Sequence, residues 1–145
     1  MTGGEALHAT SVMIDGHVLL LKGKSGSGKS DLALRLIDRG ALLVSDDYTA
    51  LAARDGIVYA SPPARIAGQI EVRGVGIVDM AFATEGPVAL VIDLDGVPDR
   101  LPEDDLPTIP LCGIHIPLLA MAAFESSAPI KAERALVRHA FGGMS

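Results

Sequence analysis

Residues 23–30 read Gly23-Lys24-Ser25-Gly26-Ser27-Gly28-Lys29-Ser30, a complete match to G-x-x-x-x-G-K-[ST]. The apolar run VLLL at 18–21 precedes it. The segment SDLALRLIDR at 30–39 follows, with Ala33, Leu36 and Ile37 on one helical face and Gly40 as a stop. Strand, glycine loop and helix in that order are the context in which this pattern holds phosphate. Glycines let the backbone curl until successive N–H groups point at phosphate oxygens, and the helix N-terminus adds partial positive charge. Lys29 can reach β- and γ-phosphates, and the Ser30 hydroxyl can ligate Mg²⁺. Average residue usage produces the pattern by chance in roughly half a per cent of chains this long.

The next apolar run, LLVSDD at 42–47, ends in Asp46 and Asp47. A strand returning here beside the first sets its C-terminal end next to the phosphates, where α/β sheets bind ligands. An acid at that place can bind Mg²⁺ through water or take the proton of an attacking hydroxyl. Side chains alternate along a strand, so one of the two carboxylates is expected to face the site. Asp93 and Asp95, after the apolar run 88–92, form a second acid pair, read as a strand-end turn before Gly96.

Composition narrows the possibilities. The 145 residues carry a net charge of −6, so the chain is a poor general nucleic-acid binder and must hold any polyanion with a local device. Aromatics make up 3% and Trp is absent, which excludes a stacking platform for single strands. The single cysteine, Cys112, excludes an internal disulfide and a multi-cysteine metal site. The N-terminus lacks a signal-peptide pattern, and the apolar stretch 114–124, broken by His115 and Pro117, is far short of the ~20 residues of a membrane span. A cytoplasmic protein without nucleic-acid or membrane partners is the expectation.

Gly 16 and Pro 9 argue for short elements and tight turns. Asp15-Gly16 between 11–14 and 18–22 signals a hairpin, and Asp55-Gly56 between 48–53 and 57–60 signals another. Residues 41–45 and 88–92 read as buried strands, the Pro-rich acidic stretch 97–110 as an exposed loop, and 129–141 as a terminal helix started by Pro129. The expected class is α/β, P-loop-containing, with a central sheet, hairpins and few helices.

Taken together, His8, the loop GKSGSGKS, LVSDD and then IAGQIEVRGVGIVD resemble the catalytic domain of HPr kinase/phosphorylase. Residues 69–79 resemble that family's signature E-[IV]-R-G-x-G-I-[IV]-[DN], which the phosphate loop alone does not supply. The resemblance implies one P-loop kinase catalytic domain over 1–145, without the family's N-terminal regulatory domain. It implies a protein-serine kinase that uses ATP and Mg²⁺ on the phosphocarrier HPr of the phosphotransferase system, or a related carrier, and a hexameric assembly. By position, Lys29 and the loop bind the ATP phosphates, Ser30 and Glu71 ligate Mg²⁺, and Asp47 takes the serine proton with Asp46 beside it. His8 resembles the family's active-site histidine, Arg73 lies inside the signature, and Arg100 looks like a later catalytic arginine. The residues agree in kind: Glu71 offers an oxygen ligand suited to Mg²⁺, and Arg73 a charge for a transferring phosphoryl group. The alternative is a surface ion pair between Glu71 and Arg73. The stretch 121–129, where the family has a Pro- and Arg-containing loop tied to phosphorolysis, has neither Arg nor Lys, so phosphorylase activity is expected to be weak or lost.

Two rivals remain at this level. Another P-loop enzyme, a GTPase or a small-molecule kinase, is one. The chain contains no Asn, so N-K-x-D cannot read guanine and ATP is favoured over GTP. The absence of H-R-D-x-x-x-x-N and D-F-G excludes a eukaryotic-type protein kinase. The other is a non-catalytic nucleotide sensor.

Overall fold

The computed structural model describes residues 4–140, and of Ala140 only the backbone. In chain order the first strands are β1 (Gly4–Leu7), β2 (Ala9–Ile14) and β3 (His17–Lys22). The glycine loop and helix α1 (Lys29–Asp38) follow, then β4 (Leu42–Ser45), β5 (Thr49–Arg54) and β6 (Ile57–Ser61). A short 3₁₀ turn leads to β7 (Gln69–Val72) and β8 (Gly76–Asp79), which pair only with each other. The chain finishes with β9 (Gly86–Asp93), β10 (Thr108–Leu111), β11 (Ile114–Ala120) and α2 (Ala128–Ala135), which runs on as a π-helical turn to Ala140. Phe141, the expected end of that helix, lies outside the described residues.

Among the described residues, one curled sheet of nine strands carries the fold, in the order β1-β5-β6-β9-β3-β2-β4, with β11 added to β9 and β10 to β11. β3 runs parallel to β9, and β9 parallel to β11, so three strands end at the same edge. The four residues Val18, Leu19, Leu20 and Leu21 are all fully buried because β3 is covered on both faces. Leu19 and Leu21 join Leu32 and Leu36 of α1 and Ala132 and Leu136 of the C-terminal helix. Val18 and Leu20 turn to the opposite face, where the sheet's own curl supplies Leu51, Val58, Leu111 and Ile116. Two helices thus suffice, since the second face is closed by antiparallel strands. Each fully buried Leu contributes about 1.5–3 kcal/mol. Among the described residues no helix is long and apolar enough to cross a membrane.

Helix α1 stops as its sequence predicts: Gly40 N–H donates to the Ile37 carbonyl and Ala41 N–H to that of Leu36, both at 3.0 Å. Both expected hairpins form, with Asp15 and Asp55 in the left-handed region at φ 50° and 51°. The stretch 97–110 is not all loop: its last residues enter β10, which pairs with β11 across a third turn, Cys112-Gly113. That turn escapes a sequence reading because Cys112 occupies φ 50°, a place usually given to Asn or Asp. Cys112→Asn is therefore expected to raise stability by about 0.5–1 kcal/mol, visible as a Tm gain of about 2–4 °C by calorimetry. An unchanged or lower Tm would contradict the strain. Burial pushes the Cys112 thiol up from its ordinary range, with the nearby Glu5 carboxylate adding to it.

Candidate active site

The glycine loop leaves β3 at its C-terminal end and turns directly into α1, as the motif requires. Gly28, the residue before the helix, sits at φ 97°, and a Cβ there would lie 2.9 Å from Ala123 Cβ and 3.0 Å from the Phe124 ring. A Cβ on Gly23 would lie 2.9 Å from Ser27 Cβ. The loop is braced from the end of β9: Lys24 N–H donates to Asp95 Oδ2 at 2.9 Å, and Leu94 N–H to the Lys22 carbonyl at 2.9 Å. Asp93 closes its own turn by accepting from Asp95 N–H at 3.0 Å.

Lys29 is buried, and its ammonium donates to the carbonyls of Gly23 at 2.6 Å and Lys24 at 3.1 Å. An ammonium has three donors, so one is left for an anion at the loop. The Ser27 hydroxyl is buried and has no partner among the described residues. A buried orphan hydroxyl costs about 1–3 kcal/mol. The loop thus fits a phosphate chain.

Asp46 is the hub. Its Oδ1 accepts from the Thr10 hydroxyl at 2.9 Å and the Ser30 hydroxyl at 2.5 Å, and its Oδ2 accepts from Glu71 N–H at 2.9 Å. One buried carboxylate so joins β2, the start of α1 and the β7–β8 hairpin. β4 does not lie beside β3, as the simple return would have it; β2 runs between them, antiparallel to both. Thr10 of β2 bridges the gap, and it also accepts from Asp47 N–H at 3.2 Å.

Asp47 departs from strand alternation. At φ 70° it is left-handed, a conformation that costs a non-glycine residue of order 1 kcal/mol or more and that concentrates at functional sites. Tyr48 N–H closes the turn on the Asp46 carbonyl at 2.8 Å. The result is that both carboxylates, rather than one, line the same cleft of about 920 Å³. Asp46 is buried with its oxygens taken, whereas Asp47 is exposed and touches one side chain, His8 Nε2, at 3.0 Å from Oδ1. The His8 ring rests on Tyr48 with centroids 5.0 Å apart, which fixes its direction toward Asp47.

The same cleft is lined by Ser25, Gly26, Gly28, Lys29 and Ser30 of the loop and by Glu71 and Arg73 of the hairpin. Among the described residues Glu71 and Arg73 form no ion pair with each other or with any other side chain, which sets aside the surface-pair alternative. Ser30, Asp46 and Glu71 offer only oxygen donors, the hard set that suits Mg²⁺. No group of three or more acidic, His or Cys side chains among the described residues could hold a metal unaided.

Gly23, Lys24 and Ser27 lie away from this cleft, and Lys24 and Ser27 line a hollow on the loop's other flank. Arg100 is exposed on the segment between β9 and β10 and lines neither space. Sequence reasoning passed over Thr10, Arg35 and Phe124. Arg35 binds the carbonyls of Ala123 and, at 3.0 Å, of Glu125, so that Phe124 is held over Gly28. The scarcity of aromatics in the chain was the one available signal for Phe124.

Residues 1–106 match the family model described as the HPr Serine kinase C-terminal domain. An HPr kinase/phosphorylase of Geobacillus sp. (strain WCH70) is 40% identical over 98 residues, which is 62% of this chain and 32% of that protein. One from Alkaliphilus metalliredigens (strain QYMF) is 36% identical over 134 residues, 88% of this chain and 43% of the relative. The chain therefore spans less than half the length of these curated relatives. The structure of the Hpr(Ser) kinase/phosphatase from Coxiella burnetii superimposes with a TM-score of 0.79 at 29% identity, covering 92% of this chain and 88% of that one.

Proposed function

Because this chain belongs to the HPr serine kinase C-terminal domain family, we propose that it moves the γ-phosphoryl group of ATP to a serine hydroxyl of the phosphocarrier HPr or a related carrier. One observation carries this reading. The exposed carboxylate of Asp47, on a left-handed residue, shares a cleft with the glycine loop, while the oxygens of its neighbour Asp46 are engaged by Thr10, Ser30 and Glu71.

The division of labour follows from the hydrogen bonds. The oxygens of Asp46 are engaged by Thr10, Ser30 and Glu71, so it organises rather than deprotonates. Asp47 keeps lone pairs open to the cleft and takes the proton of the incoming serine as its O–H bond breaks and the O–P bond forms. The bond from the γ-phosphorus to the β-bridging oxygen breaks in the same displacement, and ADP leaves. His8 orients Asp47 through their hydrogen bond. Lys29 and Arg73 hold the charge that spreads over the γ-phosphoryl oxygens. Ser30, with Asp46 and Glu71, would hold Mg²⁺, which would supply neutralising charge to the phosphates. The absence of Arg and Lys from 121–129 supports a phosphorolytic reaction that is weak or lost.

The test is transfer of label. Incubation with γ-labelled ATP, Mg²⁺ and HPr is expected to place label on a carrier serine. ATP bound tightly with no transfer to any phosphocarrier of the same cell would leave a nucleotide sensor in place of an enzyme.

A further inference from the structure

We propose that the hollow on the far flank of the glycine loop, bordered by Phe124, holds the purine base of the phosphoryl donor. The inference rests on the reading that residues 23–30 bind the donor's phosphates.

β3, β9 and β11 run parallel and end at one edge of the sheet, where α/β folds bind ligands. On one side of β3 lie β2 and β4, which bring Thr10, Asp46 and Asp47 to the cleft. On the other side lie β9 and β11, and the segments that follow them, with Leu94 and Pro98 from one and Met121 to Glu125 from the other, enclose a second space of about 510 Å³. The loop itself, through Lys24 and Ser27, forms the wall between the two. A nucleotide whose terminal phosphate faces the carboxylates must lead its other end away from the incoming hydroxyl, and that direction is toward this hollow.

The chemistry of the lining agrees. Leu94, Pro98, Met121, Ala122 and Ala123 make it mainly apolar, and it offers no Asn or Gln to read a base edge. Phe124 borders both spaces and is 71% exposed, yet its backbone is tied down by Arg35 on either side. An aromatic ring open to solvent on a braced backbone beside a phosphate loop is a stacking surface, and stacking accepts any base with a π-face. The base is held by shape and stacking.

The experiment compares ATP with inorganic tripolyphosphate, each with Mg²⁺, by calorimetry on the whole chain. Phe124→Ala is expected to weaken ATP by about five- to a hundredfold and to leave tripolyphosphate within about twofold. Phe124→Trp provides the only tryptophan in the chain, and its emission is expected to be quenched by ATP and indifferent to tripolyphosphate. Equal losses for the two ligands, no loss for either, or an indole blind to ATP overturns the base site. A wild-type chain that binds no tripolyphosphate overturns the phosphate-loop reading, and the base site falls with it. Because Phe124 is largely exposed, its removal leaves no core void, and an unchanged Tm verifies that the fold is intact.

Discussion

Asp47→Asn is expected to slow phosphoryl transfer to the carrier serine by about 10²–10⁴-fold, the usual contribution of a positioned general base, while ATP affinity stays within about twofold. The two readouts separate because Asp47 is not part of the loop that would hold the nucleotide. The amide keeps the size of the carboxylate and can still accept from His8, so the left-handed turn should survive; Asn tolerates that conformation well. What is lost is the ability to take a proton. Single-turnover rates with saturating ATP and carrier measure this directly. Near-normal transfer by the variant would move the base elsewhere, and Asp46, with its oxygens already engaged, is a poor substitute. His8→Ala is expected to produce a smaller loss, since it removes only the group that directs Asp47.

Asp46→Ala is expected to damage both activity and fold. Three donors lose one acceptor, and the fully buried Thr10 hydroxyl has no route to water. Stability should fall by about 2–4 kcal/mol, a Tm loss of about 5–15 °C, and the rate by at least about 10²-fold. Asp46→Asn separates the two effects. Its carbonyl can still accept from Thr10 and Ser30, but its NH₂ would oppose the N–H of Glu71. The core should hold while the β7–β8 hairpin loosens, which hydrogen exchange at the Glu71 amide reads as loss of protection. An Asp46→Ala protein with wild-type Tm would mean that the hub is not structural.

Local physics made much of this chain readable without coordinates. The glycine loop, its flanking strand and helix, the Gly40 stop and two Asp-Gly hairpins depend on residues within a few positions of one another. Backbone sterics and hydrogen bonding over that range leave few alternatives. Lys29, Ser30 and the acidic pair could be named for the same reason. The third hairpin was hidden because Cys112 carries no turn signal of its own.

Long-range packing decided the rest. Side-chain alternation argued that one of Asp46 and Asp47 would face the site, and the left-handed turn at Asp47 brought both there. Nothing near residue 46 in sequence announces that Thr10, 36 positions away, and the Glu71 amide, 25 away, will share its carboxylate. The pairing exists because β2 slides between β3 and β4 and because Ile70 buries into the core beneath the hairpin. Sequence alone located the glycine loop between its strand and helix, since that pattern is local. Tertiary structure decided which carboxylate has its oxygens engaged by neighbours, since that depends on donors delivered by three separate elements.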